Sequence, residues 1–203
     1  MSRSEQDFVK ATMQHFDVLR QSGFEPSKSR QRFPDDWFDF PPKLLADFGA
    51  MYFLSSLSKF NRDRSLAQIT NQLESPLRLG QYKVFRSNGY PRAFITWAGL
   101  NKAAERQLAV DHQALNPFQW NSGQSTWLID FIAPFGQIDQ IVPMLTRNND
   151  INRLRTLWHN RKGTRARIVE WWRPFQGGQI LVKSYGTGQF SKLLNGNQAN
   201  GRT

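Results

Sequence analysis

The chain of 203 residues contains no cysteine and only three histidines, His15, His112 and His159. Without thiols there can be no disulfide, no thiolate nucleophile and no Cys-ligated zinc or iron–sulfur site, and three scattered imidazoles leave little for a His-based metal cage. No metal centre is expected. The Gly-x-Ser-x-Gly elbow of serine hydrolases and the Gly-x-x-x-x-Gly-Lys-Ser/Thr phosphate loop are both missing, as are paired carboxylates at a useful spacing. The longest apolar-rich stretches, residues 44–57 and 126–134, are interrupted or fall short of the ~20 residues that a spanning helix needs. Met1 to Lys10 is polar and mixed in charge, with no apolar core or small-residue cleavage site. These absences predict a soluble, cytoplasmic protein without a membrane span.

Basic charge is abundant. Lys and Arg number 27 against 16 Asp and Glu, a formal net charge of +11, which suits an acidic partner such as nucleic acid, an anionic membrane surface or an acidic protein. The excess is not evenly spread. Residues 1–48 carry 7 basic and 8 acidic side chains, net −1, whereas residues 49–203 carry 20 and 8, net +12. That contrast, with the turn-rich stretch from Glu25 to Asp36, divides the chain into an N-terminal helical extension and linker (1–48), a main domain (49–194) and a polar, frayed tail (195–203).

Hydrophobic spacing predicts the elements. Phe8, Val9, Met13, Phe16 and Leu19 follow a helical period, and a second helix should open at Pro41-Pro42 and carry Leu44, Leu45, Phe48, Met51, Tyr52 and Leu54. A third runs from Leu66 to about Leu73, with Ser75-Pro76 expected to end it. Strands at 82–86 and 92–97 flank Asn88-Gly89, a hairpin signal. Another strand covers 127–132. Residues 137–157 read as helical through Ile138, Ile141, Val142, Leu145, Leu154 and Leu157, divided at Pro143 and at 148–150. Two more strands are expected at 167–172 and 179–184. Helices on an antiparallel-rich central sheet define an α+β fold, an α/β sandwich.

Asp130 is the most informative residue. It interrupts the apolar run Leu128, Ile129, Phe131, Ile132, where a carboxylate is costly unless paired or hydrogen-bonded. Spacing alone leaves two readings open: a strand with one polar face or a capping Asp on one side, a functional carboxylate on the other.

The surrounding residues carry a resemblance. Trp120-Asn121-Ser122-Gly123, followed by Trp127-Leu128-Ile129-Asp130-Phe131-Ile132-Ala133-Pro134-Phe135-Gly136, resembles the central motif of the bacterial toxin-activating lysine acyltransferases, which fatty-acylate RTX protoxins. Leu79-Gly80-Gln81-Tyr82 and Tyr90-Pro91-Arg92-Ala93-Phe94-Ile95-Thr96-Trp97-Ala98 match the same family in the same order, and the likeness spans roughly Gly49 to Ile180. It implies a GNAT-like acyltransferase fold and transfer of a fatty acyl group from acyl carrier protein, where phosphopantetheine holds it, to internal lysines of a protoxin. No bound cofactor is implied, and homodimerisation is left open. The family's catalytic Asp falls on Asp130. Its catalytic His lies in a Ser-Pro-x-His-Arg segment, which maps onto Ser58 to Arg62; Ser58 and Arg62 match as supporting residues, while Asn61 replaces the His.

That replacement has a chemical consequence. A lysine ammonium, with a reference pKa of ~10.4, must shed a proton before it attacks a thioester, and an Asn amide does not titrate near neutrality. Asn61 could instead donate a hydrogen bond to the thioester carbonyl or its oxyanion, with Asp130 acting through a water. Of the histidines, His159 reads as a surface or helix-end residue, His112 falls in a polar stretch, and His15 lies on the extension helix. The other reading on the same scaffold is an inactive or altered member acting as a basic interaction protein.

Eight basic residues lie between Arg147 and Arg173, against Asp150 and Glu170, with Trp158, Trp171 and Trp172 among them. Such a segment is compatible with nucleic acid, or with a solvated strand and helix edge whose Trp rings enter the core. Under the resemblance, Arg155, Arg161, Lys162, Arg165 and Arg167 would dock the acidic acyl carrier protein by electrostatic steering, and nucleic acid ranks second.

Overall fold

In the computed structural model, residues 41–147, 152–159, 166–175 and 178–196 are described. The helix expected at 8–19, the linker after it and most of the tail lie outside them.

Helix α1, Pro42–Leu57, opens where the Pro41-Pro42 pair predicts. It buries Met51 and Leu54 and leans Leu44, Phe48 and Tyr52 on the same cluster, whereas Leu45 faces outward at 52% exposure. Helix α2, Leu66–Leu79, is held at its start by a capping box: the Ser65 hydroxyl accepts the Gln68 N–H, and the Gln68 side chain accepts the Ser65 N–H at 2.9 Å. The expected stop at Ser75-Pro76 does not occur. Pro76 sits in the last turns, where its missing N–H removes one helical bond, and its ring is fully buried. Gly80, at φ 66°, ends the helix instead: its N–H reaches the Leu77 carbonyl and the Gln81 N–H reaches that of Pro76, a left-handed cap that glycine adopts without steric cost.

Strands β1, Tyr82–Ser87, and β2, Tyr90–Leu100, form the predicted hairpin. Its Asn88-Gly89 turn has positive φ at both residues, 51° and 82°, matching the twist of the strands it joins. Helix α3, Lys102–Ala109, capped by Asn101, follows. Then come β3, Ser125–Ile132; α4, Ile138–Arg147; β4, Arg153–His159; β5, Ala166–Trp172; β6, Leu181–Tyr185; and α5, Thr187–Gly196. The six strands pair in chain order, and every pairing is antiparallel except β3 with β4. This is the expected α+β architecture.

The helical reading of 152–157 was wrong, and the reason is physical. Leu154 packs with Ile141 and Leu128, while Leu157 packs with Trp127 and Ile168. A strand covered on both faces places apolar residues on each, so its pattern loses the period of two. Pro143 does not divide α4 either; it forgoes the single N–H bond back to Asp139. Helices α3 and α5 went unread: each is short, and α5 commits just Phe190 and Leu194 to full burial.

Alternation along β2 assigns the layers. Phe94, Ala98 and Leu100 meet α1, α2, α3 and α5, while Ala93, Ile95 and Trp97 meet α4 on the opposite face. The Trp120-Asn121-Ser122-Gly123 segment locks the end of β2. The Gly99 N–H bonds the Trp120 carbonyl at 2.9 Å, and the N–H groups of Ser122 and Gly123 both bond the Gly99 carbonyl. Backbones meet so closely that a Cβ on Gly123 would stand 2.6 Å from both the Asn101 nitrogen and the Leu100 oxygen. Because backbone cannot yield as a flexible side chain would, Gly123→Ala is expected to destabilise the fold by about 2–3 kcal/mol, read as a lower midpoint in urea.

Beneath β3 and β4 lies a buried ionic cluster. Arg155, 6% exposed, donates Nε to Glu170 at 2.6 Å and its other arm to Glu105. Glu105 also accepts the Trp127 indole N–H at 2.8 Å and the Ser125 hydroxyl. The guanidinium stacks over Phe190, 5.3 Å from the ring centre.

Candidate active site

Asp130 lies on β3 at a register shift. Thr96 stands opposite Asp130 and Trp97 opposite Leu128, so Ile129 is an extra residue on β3. Such a bulge bends the strand and re-aims its side chains. Asp130 is 7% exposed on the face that carries α2. The Thr96 hydroxyl donates to Oδ2 at 2.6 Å and accepts the Asp130 N–H at 3.1 Å. Gln72, on α2, donates its amide to Oδ1, and Arg64 donates to the Gln72 carbonyl oxygen. A cationic relay therefore runs Arg64, Gln72, Asp130.

Burial pushes the Asp130 carboxyl above its ordinary value of 3.8; the bonds from Thr96 and Gln72 and the charge of Arg64 pull back against it. Burial disfavours the charged form of a carboxylate and so makes it a stronger base. Thr96, Gln72 and Arg64 were not singled out from the sequence. A Thr within an apolar strand is too common to stand out, Gln72 reaches Asp130 across 58 residues of chain, and Arg64 acts through Gln72 from farther still.

The loop between α1 and α2 carries the other expected site residues. Asn61 is buried at 6% exposure; its N–H bonds the Ser58 carbonyl at 3.1 Å and its own carbonyl accepts the Arg64 N–H at 3.0 Å. This turn places Arg64 for its reach to Gln72 and thereby ties the Asn61 loop to Asp130. Ser58 is partly buried, its hydroxyl accepting the Phe60 N–H at 3.4 Å. Arg62 is exposed beside Asp63, 4.0 Å away.

One residue of the expected acidic-partner face lies in the interior. Arg155 is buried between Glu105 and Glu170, so its charge is spent inside the protein and is not presented to a partner; this corrects its assignment to the surface. Arg167 is exposed on β5 opposite Trp158. Arg161, Lys162 and Arg165 lie outside the described residues. His159, read as a surface or helix-end residue, is exposed but ends strand β4. Its ring lies against Phe60, 6.5 Å between centroids.

Comparison with known proteins gives the family of the chain. A model of the RTX toxin acyltransferase family matches residues 42–173, a span that contains Asn61, Thr96 and Asp130. The chain belongs to that family. It is 28% identical over 132 residues to a leukotoxin-activating lysine-acyltransferase of Aggregatibacter actinomycetemcomitans, covering 65% of this chain and 76% of the relative. It is 29% identical over 140 residues to an RTX toxin-activating lysine-acyltransferase of Actinobacillus pleuropneumoniae, covering 68% and 79%. A protein-lysine palmitoyltransferase of Bordetella bronchiseptica is 29% identical over 133 residues, covering 64% and 72%. Among the described residues no helix is long and apolar enough to cross a membrane.

Proposed function

We propose that this protein is a protein-lysine N-acyltransferase, moving a fatty acyl group from acyl carrier protein to internal lysines of an RTX-type protoxin in the cytoplasm. The observation that carries the reading is the buried Asp130, held by Thr96, Gln72 and Arg64 inside the segment that matches the family.

In the reaction the lysine Nζ attacks the thioester carbonyl carbon. A C–N bond forms, the oxygen takes up negative charge, and the C–S bond then breaks to release the pantetheine thiol. One proton leaves the ammonium before attack and a second leaves nitrogen as the amide forms; one of them ends on sulfur. Asp130, with its raised pKa, orders a water or the amine. The Asn61 amide donates to the developing oxyanion, a stabilisation that needs no titration. Strands β3 and β4 pair at Trp127 with Arg155 and at Leu128 with Thr156, and their pairing ends before Asp130. Backbone edges beyond that last pair are where we place an extended pantetheine arm, in keeping with the GNAT-like reading. Arg167, exposed on β5, is the described basic residue of this segment that can meet the acidic carrier protein.

The test is direct. Pure protein incubated with acyl-acyl carrier protein and an RTX protoxin should yield lysine-acylated protoxin by mass spectrometry. Absence of product at every chain length tried would overturn the assignment and leave a binding protein on this scaffold.

A further inference from the structure

Lysine attack needs a proton acceptor titrating near neutrality, and Asn61 cannot provide one. The described residues hold two histidines, His112 and His159. His159 ends β4, three residues beyond Thr156, and Asp130 lies two residues beyond Leu128 on the parallel neighbour. Both therefore stand past the last paired position, at the same end of the two strands. The loop between α1 and α2 reaches both groups: the Phe60 ring lies beside that of His159, tilted, with centroids 6.5 Å apart, and Arg64 holds Gln72 on Asp130. Asn61 sits between these two contacts in the same turn.

On the acyltransferase reading above, we infer that His159 has taken over the role of proton acceptor for the attacking lysine, entering from β4 the space that a histidine at position 61 would otherwise serve. Its surroundings suit the task. Partial burial and the nearby His112 both hold the His159 imidazole below its ordinary value of 6.5, so it is largely neutral at pH 7 and ready to accept. Among the described residues, the titratable and charged groups on the elements around it are Asp130 on β3, Asp111 and His112 after α3, Lys59, Arg62, Asp63 and Arg64 on the α1–α2 loop, and Arg167 next to its partner Ala166 on β5. Arg64 is engaged with Gln72 and Arg62 lies beside Asp63.

Transfer from acyl-acyl carrier protein to protoxin, followed against pH, tests the inference. The wild type should gain activity as pH rises through the His159 pKa. His159→Ala and His159→Gln should each lower kcat about 100-fold and abolish that acidic limb. His112→Ala should move the limb to higher pH, since the electrostatic influence of His112 is one of the two causes that hold the His159 imidazole down. Adding Asn61→His to His159→Ala should restore the rate, which a merely structural role for His159 would not allow. Wild-type rate and an unchanged acidic limb in both His159 variants would overturn this inference while leaving the acyltransferase assignment intact. A wild type that transfers nothing would overturn both.

Discussion

Asp130→Asn is expected to lower acyl transfer about 10²–10⁴-fold while leaving the fold more stable than the wild type at neutral pH. The two effects share one cause. The folded protein raises the Asp130 carboxyl above the unfolded value of 3.8 because it is buried, so it favours the protonated acid. Stability from this group is fully present below the unfolded pKa and is lost as pH rises through the folded pKa. The Asn side chain does not titrate, keeps an acceptor for Gln72 and offers a donor to the Thr96 hydroxyl. Urea midpoints measured at several pH values should show the advantage of the variant growing from acid towards neutral pH. A constant difference would mean that Asp130 is not held above its ordinary value. Retained activity in Asp130→Asn would remove the carboxylate from the chemistry.

Arg155→Met should be the most damaging single substitution for stability. It deletes the cation that sits between Glu105 and Glu170 and leaves two buried carboxylates facing each other without it. Breaking a buried ion pair from one side costs about 3–5 kcal/mol, which for a domain of this size lowers Tm by on the order of 10 °C. The triple change that also replaces Glu105 and Glu170 by Gln should recover much of the loss, because no uncompensated charge then stays buried. Equal melting of the single and triple variants would show that packing over Phe190, not charge, is what Arg155 contributes. As the sign of this prediction is structural, carrier-protein affinity per folded molecule should not change in Arg155→Met, in contrast to what a surface role would require.

Much of the fold is legible in the sequence wherever a local rule acts alone. Asn88-Gly89 between apolar runs produces the hairpin, because its positive φ angles are intrinsic to that dipeptide. The stripe from Leu44 to Leu54 produces α1, although Leu45 turns out exposed at the edge of the stripe. Local rules mislead where tertiary burial overrides them. Pro76 reads as a stop yet is carried inside α2 because its ring fills the core. Leu154 and Leu157 read as helical because β4 is covered on both faces. Of the candidate site, Asp130 stands out as a charge in an apolar run, whereas nothing in the chain marks Gln72 or Thr96 as its partners.

The sequence by itself determined the absence of cysteine, the basic main body, the α+β class and the presence of one carboxylate within an apolar strand, since each depends on composition, on near neighbours or on a contiguous motif. Only the tertiary structure decided which charges face outward and which groups surround Asp130. Arg155 and Arg167, twelve residues apart in one basic run, end up buried between two carboxylates and exposed on a strand. His159 meets Phe60 across about a hundred residues. Such pairings are set by sheet register and by which strands pair, and these depend on contacts between distant segments that no local pattern records.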